Sequence, residues 1–350
     1  MNITPLVNKQ SIRINNNVTT YRNENLQHNT INFKSAKSNG IEKLLDLTID
    51  TLISGSELNI SNKIKFHKVL NQALPKIMVP ENFINNGRDS KVYRISDKYV
   101  AKIRRGYYAN DSIHAYNITS MPNKQFSQLD CYYGEPVAKV GKVEILKNAT
   151  PSKNHIYCGA KYHGNGNVPL EEQNIYEQQV IPACNNVPQE SYDSLADTLK
   201  KLNRITKRNI KGQKETYVPD IINPNNLLIS NNKFALVDKL DRVPYENPNS
   251  VYSMLEPIIL RMNPDTPAKQ NDKLTGMRKN ILKKILIATE KSELPLDSPL
   301  KYPFAEWVLG EITGARGILS DIQKMRNDKL PVEKRIEEIT KLLDDNISAQ

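Results

Sequence analysis

An α+β fold of two lobes facing a cleft is predicted by three observations. Strand-like alternation dominates residues 81–162, helical spacing dominates 271–350, and a short strand pair at 218–241 lies between them. Segregated strand-rich and helix-rich runs pack as separate layers, each around its own core. The chain of 350 residues is long enough for both, with 38% hydrophobic and 25% charged residues.

In chain order, residues 1–40 hold ten asparagines, many Ser and Thr, and one acid, Glu24. Such a segment has too little apolar surface for a core and reads as a disordered leader. From Ile41 the pattern changes. Ile41, Leu44, Leu45, Thr48 and Leu52 recur at helical spacing, and Gly55 follows as a stop. A second helix over about 62–74 is expected to end before Pro75, which makes 41–80 a helical N-terminal segment. "KVYRI", a polar "SDK" turn and "YVAKI" then read as a hairpin, and "VGKVEIL" and "HIYCGAKY" as further strands. Tyr192, Leu195, Leu199 and Leu202 mark a helix ahead of "VPDIINPNNLLISNNKFALVD". After it come "NILKKILIA", a Gly-weakened helix through Trp307, Ala315, Leu319 and Ile322, and a last helix led by Pro331.

Composition narrows the function classes. Cys131, Cys158 and Cys184 form no CxxC pair and the five histidines are scattered, so neither a disulfide framework nor a zinc site is expected. No apolar run approaches the ~20 residues of a membrane span, so no integral membrane segment is expected. The start lacks the basic-then-apolar layout of a cleaved secretory signal. A net charge of +11 suits an anionic partner, although a lysine-rich solvated surface gives the same number. Aromatics are only 7% and do not interleave with a basic stripe, which argues against nucleic acid as the partner. Lys273, Arg278, Lys279, Lys283 and Lys284 form a basic cluster readable either as a docking face for acidic groups or as a solvated helix face. Trp307, Cys131 and Cys158 read as core residues.

Two stretches carry chemistry. In "NNGRDSKVYRISDKYVAKI", Gly87 holds the middle of a phosphate-covering turn whose outer glycines are replaced by Asn85 and Ser90. Val92 is placed to pack over an adenine, and Lys102, ten residues on, to meet phosphate charge. In the segment 218–241, Asp220 is followed by an asparagine pair, Asn225 and Asn226, then by a strand, a turn, a strand and Asp238. Phosphoryl-transfer enzymes use an aspartate to hold the attacking hydroxyl, and an asparagine and a second aspartate to hold magnesium. Ligands at either end of one hairpin can reach one ion, and magnesium accepts few protein oxygens. A plain β-hairpin would share the second pattern and a solvent-facing lysine the first; their occurrence together, in this order, favours the site.

These blocks resemble the bacterial type III secreted effector kinases, SteC-like and more distantly NleH/OspG-like. The resemblance covers about 83–245 and rests on "GRDSKVYRISDKYVAKI", on the compressed loop "VPDIINPNNLLISNNKFALVD", and on "YCGAKYHGNG" (157–166) as the hinge meeting the adenine edge. It implies a reduced two-lobed protein-kinase-like fold, with a kinase-like domain over 81–264, a small lobe over about 81–166, and 265–350 completing or extending the large lobe. It implies ATP and Mg as cofactors: Gly87, Val92 and Lys102 bind the nucleotide, Asp220 acts as catalytic base, and Asn226 (preferred over Asn225) and Asp238 hold the metal. The implied activity is Ser/Thr phosphorylation of a host protein, after secretion into host cytoplasm, with a secretion chaperone among the partners.

The departures from that pattern are specific. Val218 and Pro219 stand where His and Arg usually precede the catalytic aspartate, so activation by a phosphorylated loop is not expected. Lys239 and Leu240 replace Phe-Gly, Asp241 competes for the metal role, and no A-P-E follows. No glutamate occurs between 103 and 134 to pair with Lys102; Asp111, Asp130 and, more weakly, Glu135 are the candidates. That gap keeps a catalytically inactive binding module as an alternative, beside a kinase fold that transfers AMP.

Overall fold

The computed structural model describes residues 40–54, 59–87, 89–106, 118, 124–151, 154–158, 174–220, 223, 225–260, 272–296, 309–310 and 317–345. The leader 1–39, Asp111, the presumed hinge residues 159–166 and Trp307 lie outside the described residues. The unit Gly40–Gln350 mixes helices with three antiparallel sheets, an α+β architecture.

Two helices, α1 (Gly40–Ser54) and α2 (Ile60–Ile77), pack together and onto a five-stranded sheet. Asn59 caps α2 by accepting from the Ser61 N–H at 2.7 Å. The sheet holds β1 (Phe83–Asn86), β2 (Ser90–Arg94), β3 (Tyr99–Arg104), β4 (Ala138–Val140) and β5 (Val143–Lys147), in the order β1-β2-β3-β5-β4. Strand alternation gives it two different faces. Tyr99, Ala101 and Ile103 of β3 and Val143 and Ile145 of β5 are buried with Leu45, Ile49, Phe66 and Leu70 of the helices. The intervening Val100, Lys102, Arg104, Glu144 and Leu146 line the opposite, cleft-facing side. Full burial of one such Leu or Ile contributes roughly 1.5–3 kcal/mol. A polar clamp also holds α1 to the β2–β3 turn: Ser96 donates to Asp46 at 2.8 Å, and Lys98 and Tyr99 donate to Asp50 at 2.9 and 2.6 Å.

The rest of the unit is built around a second core. Strands β6 (His155–Tyr157), β9 (Leu227–Ser230) and β10 (Lys233–Leu236) form one sheet in the order β10-β9-β6. Strands β7 (Thr206–Arg208), β8 (Lys214–Pro219) and β11 (Leu240–Pro244) form another in the order β11-β8-β7. Asn231 and Asn232 turn the β9–β10 hairpin with φ of 50° and 57°, the left-handed backbone that a two-residue hairpin loop requires and that asparagine accepts. Helices α3 (Gln189–Arg204), α4 (Asp272–Ser292), α5 (Ile318–Asn327) and α6 (Val332–Asp345) supply most of the apolar packing. Tyr192, Leu195 and Leu199 meet Ile281, Leu282 and Ile285 there. Within it Glu290, fully buried, accepts from Arg335 Nε at 2.6 Å and Arg326 Nε at 2.9 Å, tying α4, α5 and α6 together.

Several expectations change. Helix α2 runs through Pro75 to Ile77, because Leu74 and Ile77 are buried and the last turn is held by the Met78 N–H to the Leu74 carbonyl. Leu44 is 41% exposed, and Ile49 takes the core position instead. The five-stranded sheet ends with β5 at Lys147, and β6, a further expected strand, pairs with β9 instead. The basic cluster on α4 is largely built into the fold: Arg278 is buried against Glu177, Lys284 donates to the Asn185 and Val187 carbonyls, Lys279 is buried, and Lys283 pairs with Asp344.

Candidate functional site

A cleft of about 730 Å³ lies between the face of the five-stranded sheet opposite α1 and α2 and the β9–β10 hairpin. Gly87, Val92, Lys102, Asp220, Asn226 and Asp238 all line it. Lys102 comes from β3, where strand alternation points it away from the α1–α2 core, and its Nζ lies 2.7 Å from Asp238 Oδ1. Asp238 follows β10 by two residues, and Asn226 precedes β9 by one, so the hairpin holds both at one end. The Val237 N–H to Asn226 carbonyl bond, 3.0 Å, closes that end. Asn226 is buried and donates its Nδ2 to the Asp220 backbone carbonyl at 2.7 Å, which leaves its Oδ1 for a cation. Asn225 also lines the cleft, with its N–H on the Asn223 side chain at 3.1 Å.

The apolar part of the cleft is a slot. Ile84, Val92, Val100 and Leu146 contribute from the five-stranded sheet, and Leu228 and Val237 from the hairpin. Such a two-sided slot suits a planar aromatic ring. At its edge lie Asn148, Ala149 and Thr150, directly after β5. Of the presumed hinge 157–166, only Tyr157 and Cys158 are among the described residues; Tyr157 lines the cleft and belongs to β6, which pairs with β9. Tyr157 accepts from Asn85 Nδ2 at 2.8 Å, and burial pushes its phenol up to about 12.

Gly87 sits in the β1–β2 turn, its N–H bonded to the Ser90 carbonyl at 2.8 Å. A Cβ there would make only ordinary contacts with Ser90, at 3.5 Å or more. The fold itself therefore tolerates a side chain at 87, and any need for glycine comes from what the turn covers. Gly134 is the opposite case. A Cβ at 134 would fall 2.0 Å from the Asp238 carbonyl oxygen. Its neighbours hold the same strand: the Tyr133 N–H bonds the Leu236 carbonyl, and the Leu236 N–H bonds the Cys131 carbonyl, both at 2.7 Å. Segment 131–134 is thus the backrest that sets the position of Asp238. "CYYG" offered no period to signal this.

One charged feature also escaped sequence reasoning. Glu144, the β5 residue directly across the ladder from Lys102, is 1% exposed and lines the cleft. It bonds Lys239 at 2.9 Å, Lys139 at 3.2 Å and Arg104 at 3.5 Å. Burial pushes its carboxyl up, but Lys239 and Lys139 outweigh burial and hold it below the usual range. A lone acid inside the apolar strand "VEIL" was the available signal. Of the acids considered as partners for Lys102, Asp130 is exposed, and neither it nor Glu135 lines the cleft. Asp241 does line it, and burial, then the Asp220 and Asp238 charges, raises its carboxyl above the ordinary aspartate value.

The donor set fits magnesium better than a metal held by protein alone. Among the described residues no group of three or more His, Cys, Asp or Glu is placed to hold an ion. Magnesium in nucleotide sites takes one or two protein oxygens and completes its shell with phosphate oxygens and water, and Asp238 and Asn226 offer that. The free thiols play no part: Cys131 is buried, and burial raises it to about 11. No helix among the described residues is long and apolar enough to cross a membrane. No family model matches the chain, and neither curated proteins nor solved structures give a match.

Proposed function

We propose that the chain is a kinase-like phosphotransferase that takes ATP with magnesium and moves the γ-phosphoryl group to a serine or threonine hydroxyl of a protein. The supporting observation is that Lys102 and Asp238 meet at 2.7 Å in a cleft also lined by Gly87, Val92, Asp220 and Asn226. The slot around Val92 and Val100 holds the base, and backbone groups of Asn148–Thr150 meet its edge. Lys102 binds the phosphates. Asp220 orients the attacking hydroxyl and receives its proton. Asn226, fixed by its bond to the Asp220 carbonyl, couples the two aspartates through one loop. Bound magnesium, held by Asp238 and Asn226, supplies the positive charge that stabilises the transferring group. Secretion into a host cell and a host protein as acceptor belong to the same reading.

The test is transfer of label to casein from ATP labelled on the γ- or the α-phosphate, with magnesium, by wild type and Asp220→Asn. Label from the γ position alone, lost in Asp220→Asn, supports the reading. Label from the α position would mean AMP transfer. ATP binding without label from either position would mean a nucleotide-binding module.

A further inference from the structure

Glu144 is a carboxylate buried in a cleft whose proposed ligand is a polyanion. A negative charge there works against phosphate binding, so it needs a compensating role. Lys102 bonds Asp238, while Glu144 bonds Lys239, the residue next to Asp238. The two pairs cross the cleft side by side. Lys102 and Glu144 are opposed in the β3–β5 ladder, which brings their Cβ atoms to about 5 Å. Glu144 meets Lys239, Lys139 and Arg104 through Oε1.

We infer that Glu144 is a positioning residue that takes over Lys102 when Asp238 turns to a metal-bound nucleotide, so that the acidic partner of the phosphate-binding lysine comes from strand β5. This rests on the functional reading above. Where a metal ion turns Asp238 toward itself, Oδ1 leaves Lys102. Its departure leaves a partly buried ammonium, 22% exposed, without its carboxylate. The nearest described acid on its own sheet is Glu144, already ionised by its cations. The exchange costs no backbone movement, because both strands are fixed by the ladder and only side-chain torsions change. Lys239, 47% exposed, is free to follow Asp238 or to meet phosphate.

The test is titration with a fluorescent ATP analogue, with and without magnesium, on wild type, Glu144→Gln, Glu144→Asp and Lys239→Met. For wild type, magnesium tightens binding. Expected for Glu144→Gln is loss of at least about fivefold of that magnesium-dependent gain, with metal-free binding equal or tighter, and partial recovery of the gain in Glu144→Asp. Glu144→Gln tightening both forms equally, or changing neither, overturns the inference: the first outcome is a simple charge effect, the second no role. If Glu144→Gln fails to fold, Glu144→Gln with Lys239→Met removes the uncompensated cation and carries the same test. Failure of the functional reading has a different signature, in which wild type binds no ATP under either condition, or Lys102→Ala and Asp238→Ala bind as wild type does.

Discussion

Lys102 and Asp238 stand 136 positions apart in the chain and 2.7 Å apart in the fold. Their side chains are 22% and 35% exposed, so the pair is neither a solvated surface contact nor a fully desolvated one. A double-mutant cycle of Lys102→Met and Asp238→Asn in denaturant unfolding is expected to give a coupling of about 1 kcal/mol, within the range for contacting charged residues. Additive effects would mean that the pair contributes nothing to the resting fold.

Gly134→Ala is expected to act on Asp238 without touching the cleft. The new Cβ meets the Asp238 carbonyl at 2.0 Å, and backbone cannot give way as a side-chain tip would. Overpacking of this kind costs about 1–3 kcal/mol, and displacement of Asp238 should lower phosphotransfer at least about tenfold. Gly276→Ala in α4, where nothing lies within 4 Å, is the control; it should raise stability by up to about 1 kcal/mol and leave transfer intact. Melting temperature and transfer rate together separate the two.

Glu290 links three helices through two arginines and is fully buried. Glu290→Ala leaves Arg326 and Arg335 facing each other without a carboxylate, and a broken buried pair costs about 3–5 kcal/mol. Chemical denaturation should show a loss of that size. A change below about 1 kcal/mol would show that water replaces the carboxylate.

The α1 clamp gives a pH dependence with a defined sign. The Tyr99 hydroxyl, then Lys98, holds the Asp50 carboxyl below its ordinary value, against a smaller opposing effect of burial. A depressed folded-state pKa stabilises above the unfolded value, about 3.9, and that stabilisation is lost as pH falls through the folded value. The melting temperature of wild type should therefore exceed that of Asp50→Asn at pH 7, and the difference should shrink below pH 4. A difference that grows on acidification would reverse the assignment.

Legibility followed local periodicity. The β2–β3 hairpin, β5 and the β9–β10 hairpin were readable because period-two alternation and the Asn231-Asn232 turn are local signals. Lys102, Asp220, Asn226 and Asp238 were named from the residue types and order that phosphate and magnesium chemistry would require, and all four line one cleft. What stayed hidden depends on long-range packing. The β7–β8–β11 sheet pairs "TKR" and "LDRVP" with "KETYVP", and nothing within those short segments specifies a partner. Gly134 matters only because Asp238 comes to rest against it. Glu144 lies beyond the stretch 103–134 where an acid was expected, and only the pairing of β3 with β5 sets it opposite Lys102.

The most direct measurement is magnesium-dependent transfer from γ-labelled ATP by wild type, Lys102→Ala and Asp238→Ala, each checked for folding by circular dichroism. Expected is transfer by wild type and a fall of at least about a hundredfold in both variants, the scale for removing one charge that stabilises the transition state. Equal labelling by all three folded proteins would contradict the assignment of Lys102 and Asp238 to phosphoryl transfer.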